Sequence, residues 1–307
     1  MQESVPPSRI TNEQIRDILD CCRITNGKKF RLKDHDPGHT SGYSPDKPES
    51  AALLRAGVQQ LSEYQDMLQA QDRWAMLCVF QAMDAAGKDG AIKHVMSGVN
   101  PQGVQVTAFK APGPEDLDHD FLWRIHRALP ERGRIGIFNR SHYEEVLVVR
   151  VHPEILERQN LPRALIGKKI WRERLQAIAH YEEYLSQQGT VVLKFFLNIS
   201  RKEQKKRFME RLDNPEKNWK FNAGDLTERG HWDAYQAAYQ DAIAATAAPH
   251  APWYVVPADN KWFTRLVVVA AMIDALRKLD LRYPKISPAQ RAEFTAARAK
   301  LAAENGG

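Results

Sequence analysis

Residues 76–90, MLCVFQAMDAAGKDG, constrain the fold more than any other part of the chain. An apolar run suited to a buried strand ends in small residues and then Gly87-Lys88. That order is strand, loop, helix N-terminus. Backbone N–H groups and the positive end of a helix favour a phosphate there, and a lysine adds a point charge. The full pattern G-x-x-x-x-G-K-[ST] needs Gly at 82 and Ser or Thr at 89; this chain has Ala82 and Asp89. A phosphate cradle would comprise Ala85, Ala86, Gly87, Lys88, Asp89 and Gly90. Asp84 is an unusual acid for such a loop. Two anions in contact repel unless a cation lies between them, so Asp84 reads as a magnesium-site carboxylate, direct or through water. The alternative is a strand-to-helix turn without ligand, with Asp84 capping the helix.

The chain has 307 residues, 43% hydrophobic and 27% charged, as in soluble globular proteins. One domain of kinase size is within reach. Residues 1–14 have no apolar signal-peptide centre, and the apolar run 266–272 is too short to span a bilayer. Cys21, Cys22 and Cys78 form no disulfide framework or metal spacing. These features point to a reduced, cytoplasmic protein with no membrane partner. A net charge of +6 and a pI of about 9.1 suit an anionic partner.

Strands are expected at 76–81, 104–110, 134–139, 191–198 and 253–257, each a short run rich in β-branched and aromatic residues. Helices are expected at 12–22, 50–71, 88–99, 117–129, 165–187, 202–212, 231–246, 262–278 and 288–303. Alternation of this kind predicts an α/β fold, a parallel sheet of about five strands flanked by helices, with ligands at the carboxyl ends of the strands. Residues 1–50 read as an N-terminal arm, 51–285 as one catalytic domain, and 286–307 as a C-terminal helix.

Three further clusters bear on chemistry. RIGIFNRSHYEEVLVVRV (134–151) places Asn139 at the end of the third strand, followed by Arg140. A guanidinium fork suits phosphate, and Glu144 one turn later could supply a carboxylate. The alternative is a capped helix start with acids on its dipole. Residues 201–232 hold nine Lys or Arg against six Asp or Glu. They read as a lid that closes over phosphates and excludes water, or as a solvated charged helix. In AFKAPGPEDLDHDFLWRIHR (108–127), Lys110 ends a strand and Arg124 could reach the cleft or pair on the surface.

Taken in order, QAMDAAGKDG (81–90), FKAPGPEDL (109–117), FLWRIHRALPERGRIGIFNRSHYEEVLVVRV (121–151) and RFMERLDNPEKNWKF (207–221) resemble the polyphosphate kinase 2 family. The resemblance implies a P-loop kinase fold related to thymidylate kinase, with a helical lid. It implies magnesium-dependent transfer of a terminal phosphoryl group between inorganic polyphosphate and a nucleotide, manganese being a possible substitute. Asp84 matches the family's metal-associated loop acid, Gly87 and Lys88 its phosphate cradle, and Arg140 the arginine of its second motif. Arg207, Arg211, Lys217 and Lys220 match its basic lid. FNRSHYE resembles the subgroup that phosphorylates both AMP and ADP, with Asn139 where many members carry Asp. Glu144 falls where that subgroup has a glutamate near metal or acceptor, and Arg124 is assigned to the acceptor with Asn139 and Glu144. Lys110 and Arg150 would extend the polyphosphate channel. The family suggests a dimer or tetramer.

Two other classes compete. An ATP-dependent nucleotide kinase would share fold, metal and lid, and differ in its donor. A nucleic-acid-binding module fits the pI, but the chain has no RNA-recognition strand motif and no zinc pattern, and the GK loop would need another explanation.

Overall fold

The structure is a computed structural model that describes residues 9–44 and 46–304. Among the described residues six strands form one sheet: β1 (Arg23–Ile24), β2 (Ala75–Ala82), β3 (Val104–Ala108), β4 (Ile135–Asn139), β5 (Thr190–Asn198) and β6 (Trp253–Pro257), in the order β1-β6-β5-β2-β4-β3. All neighbours are parallel except β1, which runs antiparallel to β6. Five strands match the expected runs. The sixth, β1, spans two residues and is too short to carry an alternation. In β2, Cys78 pairs with Ile137 on one side and Leu193 on the other. The strand before the GK loop is therefore central, and its residues 75–81 are buried. Burial of both faces explains its unbroken apolar run.

The first helices are α1 (Asn12–Leu19), α2 (Pro48–Gln71), α3 (Lys88–Val95), α4 (Pro114–Leu117), α5 (Trp123–Arg127), α6 (Val148–Val151) and α7 (Pro153–Glu157). They are followed by α8 (Ile170–Gln187), α9 (Arg201–Asp213), α10 (Gly224–Gly230), α11 (Trp232–Thr246), α12 (Lys261–Arg277) and α13 (Pro288–Ala303). Residues 117–129 do not form one helix. Asp120 Oδ1 accepts from Leu122 N (2.9 Å), and this side-chain bond diverts the backbone between α4 and α5. Helix α8 starts at Ile170 rather than 165, after a turn closed by Ile170 N on Gly167 O (3.0 Å).

Helix α12 is apolar nearly all round and packs against α1, α2, α3, β5 and β6. Strand alternation sends Lys194 and Phe196 of β5 the other way, toward α8 and α11. There Phe196 stacks on Tyr239 (3.9 Å between centroids) and Lys194 pairs with Glu182.

Residues 9–44 do not stand apart as an arm. Ile10, Ile15, Ile18, Leu19, Cys22, Phe30 and Leu32 are buried in the same core as the sheet. Thr11 and Gln14 form a capping box at the start of α1, and Ile10 N donates to Gln60 Oε1 (3.0 Å). By contrast, no described residue of α13 is buried.

Ile18 is fully buried. Ile18→Ala is expected to destabilise the whole domain by about 2–4 kcal/mol, read from the denaturant midpoint. A change below about 0.5 kcal/mol, the level of a neutral surface substitution, would mean that this segment is dispensable.

Candidate active site

At the carboxyl end of β2 the chain turns through Met83–Ala86 and enters α3 at Lys88. Two residues of the turn are left-handed, Ala85 (φ +60°) and Gly87 (φ +98°). Glycine adopts this conformation freely; alanine does so at a cost, which the surroundings must offset.

Helix α9 is that surrounding. Gln204 Nε2 donates to the Asp84 carbonyl (2.9 Å). Arg207 Nη1 donates to the carbonyls of Ala85 (3.1 Å) and Ala86 (2.8 Å). The C=O and N–H of one peptide point in opposite directions. The Ala86 N–H is taken by the Met83 carbonyl (3.3 Å), so the carbonyls of Asp84 and Ala86, turned toward α9, leave the N–H groups of Ala85 and Gly87 for the cleft, an anion-binding arrangement. The remaining Arg207 donors reach Ala258 O (2.6 Å), Asp259 O (3.0 Å) and Glu203 Oε1 (2.9 Å). A guanidinium has five N–H donors, and all five are engaged. Arg207, expected as a lid base for phosphate, is instead the buried brace of the loop.

Lys88 leads into α3 beside Asp84, Asp89, Arg140 and Glu144. Burial pushes its amine below the ordinary lysine value, with Glu144 opposing. Arg140 follows β4 at φ +65°, its N–H bonded to Phe80 O (3.1 Å). Its guanidinium lies 3.5 Å from Glu144 Oε2 and 3.9 Å from Asp84 Oδ1. Glu144 raises the Arg140 pKa further. Burial pushes the Glu144 carboxyl up, against the pull of Arg140 and Lys88. In the amide orientation that satisfies both its ends, Gln81 donates to Glu144 Oε1 (2.9 Å) and accepts from Ser141 N (3.2 Å).

The two departures from the loop pattern meet in space. Asn139 Nδ2 donates to Asp89 Oδ1 (2.7 Å). An acid after the lysine is thus matched by an amide, not a second acid, at the end of β4.

These groups line a cleft of about 670 Å³. Asp84–Gly90, Lys110, Asn139 and Arg140 form one wall, and Arg211, Lys217 and Lys220 line it from the lid. Arg211 is held by Asp225 (3.2 Å). Helix α12 adds Lys261, Thr264 and Arg265, which sequence reasoning missed. Their signal was a Lys and an Arg four apart, just after the last strand.

Two expected residues lie elsewhere. Arg150 does not line the cleft: α6 directs it to α11, where it pairs with Asp241 (2.7 Å). Arg124 Nη1 donates to the Lys110 carbonyl (2.9 Å), and its side chain lines a neighbouring cavity of about 480 Å³. That cavity also holds Phe121, Leu161 and Ile170, and the buried pair Glu145–Arg174 (2.9 Å), which sequence reasoning likewise left out. Glu144 itself faces a third cavity of about 280 Å³, shared with Asp84 and Arg140 and closed by α10 and Tyr235.

Among the described residues no three His, Cys, Asp or Glu side chains form a ready metal cage. Magnesium does not need one: it is held by one or two carboxylates, with phosphate oxygens and waters completing its shell. Asp84 and Glu144, either side of Arg140, fit that requirement.

A central parallel strand, a GK loop at a helix start and a cleft lined by bases from that loop, the ends of β3 and β4, the lid and α12 define a P-loop phosphotransferase. The polyphosphate kinase 2 family model matches residues 45–284, and the chain belongs to that family. It is 48% identical over 280 residues to an ADP-polyphosphate phosphotransferase of Rhodopseudomonas palustris, covering 91% of this chain and 96% of the relative. It is 43% identical over 263 residues to an AMP/ADP-polyphosphate phosphotransferase of Meiothermus ruber, covering 86% and 94%. The crystal structure of polyphosphate kinase 2 from Arthrobacter aurescens superposes with a TM-score of 0.81 at 42% identity, over 89% of this chain and 95% of that one.

Two predictions follow from the geometry. Asn139→Asp sets a carboxylate against Asp89 in place of a hydrogen bond. It is expected to cost about 1 kcal/mol of stability and to lower the transfer rate, and adding Asp89→Asn is expected to recover both. Thermal unfolding and initial rates of the single and double variants decide this; a double variant no better than the single would refute the pairing.

The second concerns pH. The Glu144 carboxylate is lost as pH falls through its raised pKa, and the Lys88 ammonium is lost as pH rises through its lowered one. The kcat/KM profile should therefore fall at its acid end above the ordinary carboxylate range, and at its alkaline end below the ordinary lysine range. In Glu144→Gln the residual activity should lose that acid limb; an unmoved limb would exclude Glu144 as its source.

Proposed function

We propose that this protein transfers the terminal phosphoryl group of inorganic polyphosphate to AMP and ADP, giving ADP and ATP, and catalyses the reverse. The observation that carries this reading is the continuity of the basic cleft. Lys88, Lys110 and Arg140 lie along the loop wall, Arg211, Lys217 and Lys220 along the lid, and Lys261 and Arg265 along α12. A chain of phosphates, each charged, suits such a track; an ATP donor would also need a slot for its base. The aromatic residue lining the cleft among the described residues is Phe109, which is largely buried against Phe138 and has the Arg124 guanidinium over its ring (5.6 Å), so it offers little face to a base.

In the transfer, the bond from the terminal phosphorus to its bridging oxygen breaks. A new bond forms to a terminal phosphate oxygen of the acceptor. Such a reaction needs positioning and charge neutralisation more than a covalent group. The loop N–H groups and Lys88 would orient the donor, and Arg140 would meet charge on the moving phosphoryl. Asp84 with Glu144 would hold magnesium, or manganese in its place, which would neutralise charge on the phosphate oxygens. The neighbouring cavity beside Arg124 would take the acceptor's base and sugar. The acceptor range rests on the FNRSHYE motif and on the name of the Meiothermus ruber relative.

No helix among the described residues is long and apolar enough to cross a membrane. We also propose that the protein works in the cytoplasm as a homo-oligomer, a dimer or tetramer. Phe294 and Leu301 of the exposed α13 are available to a second copy.

The test is to incubate the protein with magnesium, long-chain polyphosphate and AMP, without ATP, and follow the nucleotides. ADP followed by ATP is expected. ATP formed only from added ADP would restrict the acceptor to ADP. Transfer that appears only with ATP as donor would replace this reading with that of a nucleotide kinase.

A further inference from the structure

Gln204 is almost fully buried, on the face of α9 that meets the phosphate loop. Its amide is used at both ends. The nitrogen donates to the Asp84 carbonyl (2.9 Å), and the oxygen accepts from Arg229 Nη1 (2.7 Å). Arg229 belongs to α10, the helix that follows the lysine-bearing turn of the lid, and its Nη1 also reaches Arg201 O (3.0 Å). Helix α10 is fastened at two further points. Asp225 pairs with Arg211 (3.2 Å), and Glu228 accepts from Tyr235 (2.5 Å) and contacts His152 Nε2 (2.9 Å).

A buried amide can present N–H to Asp84 only if its oxygen faces a donor, and Arg229 is that donor. Withdrawal of Arg229 leaves a buried acceptor unpaired and removes the reason for the amide to keep this orientation. The Asp84 carbonyl shares its peptide with the Ala85 N–H, the first loop N–H left for the cleft. The lid and the phosphate cradle therefore share one hydrogen-bonded chain, Arg229 to Gln204 to Asp84.

We propose that Gln204 and Arg229 are positioning residues that couple closure of the lid to the geometry of the phosphate loop. With α10 seated, the loop is set for transfer; with α10 withdrawn, Asp84 and the N–H groups after it loosen. An enzyme that must give a phosphoryl group to a nucleotide and not to water gains from tying cradle geometry to a closed lid. The catalytic consequence rests on the transfer reaction proposed above, whereas the coupling itself does not.

The experiment compares Arg229→Met, Gln204→Met and the double variant with the unmodified protein. Arg229 is only half-buried, so its variant should fold. Gln204→Glu provides a second route, since it keeps a partner for Arg229 and loses the donor to Asp84. The first readout is amide hydrogen exchange of residues 83–88 without substrate. Each single variant is expected to raise it, and the double variant to raise it no further than the stronger single. The second readout is the split of phosphoryl transfer between AMP and water. Here kcat is expected to fall about 10- to 100-fold, with KM for polyphosphate nearly unchanged and a larger share of free phosphate. Unchanged exchange at 83–88 in Arg229→Met, or additive effects in the double variant, would overturn the coupling. If the unmodified protein moves no phosphoryl from polyphosphate, the functional reading fails, and the exchange measurement still decides the relay.

Discussion

The cradle depends on one guanidinium. A loop that binds phosphate through its N–H groups must send its carbonyls somewhere, because every peptide carries both. Here they go to α9, where Arg207 takes those of Ala85 and Ala86 and also holds Ala258 and Asp259 beyond β6. One side chain thus joins the loop after β2 to the loop after β6, across the carboxyl edge of the sheet. It fixes the floor from which Lys88 and Lys261 rise. A lysine in its place would have too few donors, and no planar fork, to hold both loops.

The second turn of the site has its own support. Lys194 and Glu182 form an ion pair with side chains at most 1% exposed. Burial alone would push the Glu182 carboxyl up; the Lys194 ammonium and the His142 contact outweigh it and hold the group ionised. The Tyr143 hydroxyl lies 2.8 Å from Glu182 Oε1 and 2.8 Å from Thr246 Oγ1. A buried pair of this kind adds little net stability compared with well-packed apolar residues, but loss of one partner is costly. Its position suggests what it does. It grips His142 and Tyr143, two of the three residues between Arg140 and Glu144, so the left-handed Arg140 and its carboxylate partner are set from beneath.

Much of this was legible in the sequence, and the exceptions share a cause. Five strands and the GK loop are local patterns, readable from β-branched runs and glycine. Strand β1 is two residues long and exists because Arg23 and Ile24 find Tyr254 and Trp253, a tertiary fact. The N-terminal segment looked like an arm because Gly, Pro and polar residues surround its few apolar side chains; those from Ile10 to Leu32 are core. Arg207 was read from its match to a basic lid, and Arg150 from charge. A basic residue says that it will find acceptors, not which ones, and helix docking gave Arg207 to backbone carbonyls and Arg150 to Asp241. Lys261 and Arg265 escaped notice because they lie so far along the chain from the loop that they serve.

The residues at the loop's altered positions show how a motif can drift without losing its chemistry. A hydroxyl after the lysine and an acid at the end of the partner strand form one solution to holding phosphate and a cation together. Here the acid stands after the lysine, as Asp89, and the amide stands on the strand, as Asn139, 2.7 Å away. The exchange keeps a donor facing an acceptor and avoids two adjacent carboxylates. It also leaves Asn139 without charge, so the carboxylates nearest Arg140 are Asp84 and Glu144. Negative charge in the site therefore lies mainly on the loop side and beneath Arg140. The facing wall of lid and α12 is mostly basic: among the described residues Glu210 is its one acid, beside Arg211, Lys217, Lys220, Lys261 and Arg265. A polyanion entering along that wall meets attraction until it reaches Asp84, where a cation is needed to go further.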